Sequence, residues 1–193
     1  MEEKQGLPIL PFASPKKWET WLGEHHGTSK GVWLKIAKKD TGIDTVTYAE
    51  ALDAALCYGW IDGQKGAYDD EFWLQKFTPR GPKSKWSKIN RDKALALIEA
   101  QRMKPAGLTA IEQARSDGRW ERAYDSQSKA SVPEDLQREL DRNPEAAAFF
   151  ANLDRVNRYA VLYRIQDAKN PETRTRRIEK YIEMLNRHEK LHP

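Results

Sequence analysis

Three groups of residues in this chain have the types and spacing to do chemistry. The first is Arg80, Lys83, Ser84, Lys85, Trp86 and Ser87. Pro79, Gly81 and Pro82 hold this run in a loop, which leads into a helix predicted from about Ser87. Cations, hydroxyls and the free N–H groups of a helix N-terminus together suit a phosphate or carboxylate. The pattern GxxxxGK[ST] is absent, so this is not a nucleotide-binding P-loop. The plainer account is a solvated loop whose serine caps a helix.

The second group is Asp62 with the tryptophans Trp60 and Trp73. Asp62 follows an aromatic segment and precedes Gly63, where it could act as a general base or pair with Arg80. An Asp-Gly turn, with the carboxylate bonded to backbone, explains it more simply. Trp60, Trp73 and Trp86 fall in one short window and could wall a site for a flat anion. From Lys76 to Lys93 there are seven Lys/Arg against one acid, a local +6 where the whole chain carries +4. The third group is Arg174, Arg176, Arg177 and Lys180, a basic face on a predicted last helix. Glu172 and Glu179 lie at pairing distance, so a solvated face is expected, with docking as the functional alternative.

Metal and thiol chemistry are not expected. His188 and His192 have i, i+4 spacing but sit in a tail predicted to fray, and further ligands are missing. His25 and His26 end a predicted helix, where they suit its dipole. Cys57 lies in an apolar helix end and reads as a small buried hydrophobe. No cofactor is implied.

Elements must hold these residues. Residues 1–13 read as an extended, loose arm. Ser14 and Pro15 start a helix that buries Trp18, Trp21 and Leu22. Val32, Leu34 and Ile36 alternate with Trp33, Lys35 and Ala37, as in a half-buried strand. Thr47 and Glu50 form a capping box for a helix that stops at Gly59. Trp60–Ile61 and Glu71–Thr78 read as two strands joined by a turn at Gly63–Gly66. The rest reads as helix, with buried stripes at Leu95 and Ile98, at Leu108, Ile111 and Ala114, at Val156, Tyr159, Leu162 and Ile165, and at Ile178, Tyr181, Ile182 and Leu185. The fold class is therefore α+β. A small antiparallel sheet with helices occupies residues 14–86, and an all-helical region occupies 87–193, packed as one unit with it.

The 193 residues suffice for a real core; the 39% hydrophobic share is a little low, yet seven Trp argue against disorder. No apolar run reaches membrane-spanning length. The N-terminus has acids where an export signal needs cations, and a single cysteine suits a reducing compartment, so a cytoplasmic protein without membrane contact is expected.

Several words of the sequence carry a resemblance. TYAEALDAALCYGWIDGQ (47–64), FTPRGPKSKWSKIN (77–90), MKPAGLTAIEQA (103–114) and GRWERAY (118–124) look like the YdeI/OmpD-associated, or bacteriocin-protection, proteins. RYAVLYRIQDAKNPETRTRRIEKYIEML (158–185) resembles that family's C-terminal helical region, about 130–190, through Ala168, Lys169, Glu172, Thr173, Arg174, Arg176, Arg177 and Ile178. The resemblance runs from about Trp18 to Leu185. It implies a YjbR/CyaY-like α+β first half and carries over no catalytic residue. Porin association, which the family's name also suggests, would need an export signal that this sequence is not expected to have.

Three functions compete. The leading one is a binding module for an anionic small molecule, with Trp60, Trp73 and Trp86 as walls and Arg80, Lys83 and Lys85 as charge. The second is an enzyme that uses Asp62 as acid/base and Arg80 as a clamp on a phosphorylated or carboxylated substrate. The third and weaker is a single-stranded nucleic-acid binder, since the chain outside residues 76–93 is close to charge balance. Oligomeric state is not encoded legibly.

Overall fold

In the computed structural model, which describes residues 2–193, the N-terminal arm is paired rather than loose. β1 (Glu3–Lys4) and β2 (Leu7–Pro11) form an antiparallel hairpin. Gln5 and Gly6, both at positive φ, make the two-residue turn that matches strand twist. α1 (Pro15–His25) then carries the chain back to β3 (Val32–Ala37), so β2 and β3 run parallel. The sheet is therefore mixed, not purely antiparallel as expected. α2 (Tyr48–Cys57), β4 (Trp60–Ala67) and β5 (Phe72–Pro79) complete it in the order β1-β2-β3-β5-β4.

The caps fall where the sequence puts them. The Ser14 hydroxyl accepts from Lys17 N, and Thr47 and Glu50 form the reciprocal box. Gly59 takes φ +72° just past α2. One turn moves. β4 runs straight through Gly63 and Gly66, and the chain reverses at Tyr68–Glu71 instead. There the Asp69 carboxylate accepts from the N–H groups of Glu71 and Phe72, an Asx-type turn that needs no glycine.

One sheet face packs on α1 and α2. Trp18 fills the join, its ring against Phe77 and Trp60 and its indole N–H on the Ala51 carbonyl. On the other face Trp33 is buried too, against the half-buried alternation expected for β3. The hairpin explains this: Ile9 packs on it, its indole N–H donates to the Lys4 carbonyl, and the Lys4 ammonium lies over its ring.

The chain divides into two compact units. One comprises residues up to Lys85 together with Asn90–Glu121; the other comprises Trp86–Ile89 and Arg122–Pro193. Most of α3 (Lys88–Glu99) and all of α4 (Pro105–Ser116) thus go with the sheet, beyond the 86/87 boundary read from sequence. Lys93 pairs with Asp53 of α2, and the Lys104 N–H donates to the Cys57 carbonyl at the end of α2. Ala94, Leu97, Ile111 and Ala114 are buried, while the expected stripe members Leu95 and Leu108 are exposed.

In the second unit α5 (Glu134–Arg142), α6 (Pro144–Ala151), α7 (Arg155–Gln166) and α8 (Pro171–Asn186) enclose a core that includes Leu136, Phe150, Val161, Ile165, Ile178 and Leu185. Val156, expected inside, is exposed. The C-terminal tail does not fray. The buried Asn157 side chain accepts from the N–H groups of Leu191 and His192 and donates to the His192 carbonyl. Among the described residues no helix is long and apolar enough to cross a membrane.

Candidate functional site

A bulge in β4 builds the candidate site. Asp62 stands opposite Phe77 and Lys65 opposite Gln75, so three steps along β4 match two along β5. In a regular strand, residues three apart face opposite sides. The extra residue brings Lys65 onto the same sheet face as Asp62, the face that carries Trp73. Gln75 holds the bulge in place. Its buried amide donates to the carbonyls of Gly63 and Gln64. Gln75→Leu should leave both carbonyls without this donor and cost roughly 1–3 kcal/mol. A lowered unfolding midpoint with faster amide exchange around Lys65 would show it; an unchanged midpoint would refute the role.

Trp73 is half-buried on this face, and the Lys65 ammonium lies 4.4 Å from its ring centroid. Tyr48, the first residue of α2, contacts the same ring at 6.2 Å and donates its hydroxyl to Asp62 at 2.8 Å. Burial first, and then that hydrogen bond, push the Tyr48 phenol well above its usual range. Tyr48 therefore stays a donor at neutral pH, and one Asp62 oxygen is occupied by it. Next to Trp73 opens a hollow of about 600 Å³ lined by Lys38, Lys39, Lys65, Gly66, Ala67 and Trp73. No carboxylate lines it. None of its three lysines has an acid at ion-pair distance among the described residues.

The residues singled out from sequence are scattered. Trp60 is only 1% exposed, with its indole N–H on the His26 carbonyl, so it is core and not a wall. Trp86 is 2% exposed and also core. The basic loop is organised around itself. Arg80 donates to the Lys85 carbonyl, the Ser84 hydroxyl accepts from Gly81 N, and Arg119 donates to the Ser84 carbonyl. Ser87 bridges to Tyr124, and the ammonium of Lys88 pairs with Asp125 at 2.8 Å. Lys83 remains exposed. Lys76 bonds Gln5, Arg91 neighbours Asp92, and Lys93 pairs with Asp53, so the +6 of the segment is spread over local partners. Of the expected set, Asp62 and Trp73 share the sheet face beside the hollow and are linked through Tyr48, while Arg80, Ser84 and Lys85 are joined within their own loop.

The other candidates resolve locally. His25 and His26 each place Nδ1 on a carbonyl of the last turn of α1. His188 stacks on Phe149 and approaches Glu145. No group of three potential metal ligands occurs among the described residues. Burial pushes the Cys57 thiol up, against nucleophilic use. Arg174 pairs with Asp135 of α5, and Arg177 donates to the Arg164 carbonyl, so these two serve the helical core, while Arg176 and Lys180 are exposed.

Sequence reasoning missed Tyr48, Lys38, Lys39 and Lys65. Tyr48 sits inside the Thr47–Glu50 capping box, and Lys65 falls in the turn expected at Gly63–Gly66. The signal that was present is Lys38-Lys39 directly after a strand, two cations set at a sheet end.

Comparison with known proteins gives two family matches. Residues 10–110 match a model described as a domain of unknown function (DUF8412). Residues 129–188 match a model described as bacteriocin-protection, YdeI or OmpD-associated. No curated protein and no solved structure matches the chain.

Proposed function

The chain belongs to the DUF8412 domain family and, in its C-terminal region, to the bacteriocin-protection, YdeI or OmpD-associated family, and from that premise we propose that its first unit is a binding module for an anionic small molecule with a flat portion. The observation that carries this is the convergence of Lys38, Lys39 and Lys65 on a hollow walled by Trp73 and lined by no acid. Exposed lysines alone are ordinary solvated charge. Three of them around one indole, without a counter-charge, make a positive potential beside a stacking surface. The hollow has the size of a metabolite site. The Tyr48–Asp62 pair adjoins the Trp73 ring through Tyr48 and leaves one carboxylate oxygen to accept from a ligand N–H or O–H. A cytoplasmic setting suits the single buried thiol.

A thermal-shift screen with phosphorylated metabolites and aromatic carboxylates tests the reading. A ligand at a hundred times its Kd stabilises by about 2.7 kcal/mol. For a protein of this size that is a midpoint rise of roughly 5–10 °C. Trp73→Ala and Lys65→Glu should abolish the rise, while Arg80→Ala should keep it. A rise that survives Lys65→Glu and Trp73→Ala would refute the site. Oligonucleotide binding with a steep salt dependence that ignores these two variants would favour the nucleic-acid reading instead.

A further inference from the structure

The second unit contains a hollow of its own, of about 310 Å³, at the start of α7. Its cationic wall is Arg155 and Arg158, one turn apart on that helix. Gln127 and Ser128, from a turn ahead of α5, also line it, as do Tyr159 and Leu162. Ala130 is its remaining lining residue, and no carboxylate lines it.

The two arginines differ in a telling way. Arg158 is fixed: it donates to the Phe150 carbonyl, and its guanidinium lies 4.4 Å from the Phe150 ring centroid. Arg155 is exposed and has neither a hydrogen bond nor an ion pair among the described residues. The neighbouring acid does not neutralise it. Asp154 caps α7, and its two oxygens accept from the backbone and side-chain N–H groups of Asn157. Tyr159 commits its hydroxyl to the Asp125 carbonyl, so the ring with Leu162 and Ala130 supplies apolar surface. A fixed guanidinium, an uncommitted one beside it and an apolar side match a small oxyanion bearing an apolar group. The volume is at the lower end for ligand sites, which limits that group to about a single ring.

We infer that the Arg155–Arg158 hollow binds a small carboxylate or phosphomonoester through both guanidiniums, with the apolar part of the ligand against Tyr159 and Leu162. The site is separate from the Trp73 hollow and does not depend on it.

Amide NMR titration of the full chain tests this with phenyl phosphate, benzoate and inorganic phosphate as probes. Phenyl phosphate or benzoate should shift Ser128, Ala130, Arg155, Tyr159 and Leu162 saturably at concentrations up to roughly 10 mM. Arg155→Ala should weaken that binding by about tenfold. Because Arg155 is exposed and makes no hydrogen bond or ion pair among the described residues, this variant should keep the native spectrum elsewhere. Lys65→Glu, which removes a charge from the other hollow, should leave the affinity unchanged. The absence of saturable shifts at these residues, or equal affinity in Arg155→Ala, would overturn the assignment. Inorganic phosphate binding as tightly as phenyl phosphate would overturn its apolar half.

Discussion

Gly107→Ala should destabilise the first unit by about 3 kcal/mol or more, and lower the unfolding midpoint by roughly 6–12 °C. Gly107 is the third residue of α4 and is buried. A Cβ there would sit 2.4 Å from the Cys57 carbonyl oxygen and 2.4 Å from the Met103 sulfur. Methionine can swing away. The carbonyl cannot, because it ends α2 and accepts from the Lys104 N–H. The two helix ends would have to separate, opening contacts that Ile111 and Ala114 help to bury. Gly59 adds to the constraint from the other side. It holds φ +72°, and a Cβ on it would lie 2.8 Å from the Ala106 carbonyl oxygen. Thermal or urea unfolding of Gly107→Ala checks this. A loss under about 1 kcal/mol would show that α4 shifts freely.

Arg174→Ala should destabilise the helical unit by about 2 kcal/mol at neutral pH and remove much of its acid sensitivity. Arg174 donates from Nε to Asp135 Oδ2 at 2.5 Å and from an amino group to Oδ1 at 2.9 Å. It also donates to the Ile165 carbonyl. One side chain of α8 thus ties α5 and the end of α7. The two side chains are 30% and 32% exposed, so the value lies between those of exposed and buried pairs. The Arg174 hydrogen bond holds the Asp135 carboxyl below its ordinary value. A carboxylate depressed in the folded state contributes stability that is complete above its unfolded pKa of about 3.9 and is lost as pH falls through the folded value. The wild-type unit should therefore weaken below about pH 4. Asp135→Asn and Arg174→Ala should both flatten that acid limb. A wild-type acid limb that persists in both variants would assign it to other carboxylates.

Much of the local structure was legible because it depends on neighbours in sequence. Ser14 with Pro15, Thr47 with Glu50, Gly59 and Asn170 with Pro171 each mark a helix end through bonds spanning a few residues. The helix stripes were legible in kind but shifted at Leu95, Leu108 and Val156, because periodicity shows that a face is apolar and not which neighbour covers it. The loose arm, the antiparallel sheet and the turn at Gly63–Gly66 were misread for a related reason. Strand pairing is a long-range choice, and glycines serve a bulge as readily as a turn.

What the sequence alone determined is a two-part α+β chain, its helix caps, its family words and the presence of aromatic and cationic groups in its middle third. The tertiary structure decided which of those groups face one another. The basic loop from Arg80 to Lys85 was the most conspicuous charge in the sequence, yet it bonds to itself and to Arg119. Lys65 looked like a turn residue, yet one extra residue in β4 sets it over Trp73 beside Lys38 and Lys39. Local charge density follows from composition. A site follows from register and pleat, and a single bulge reverses which side of a sheet a cation serves.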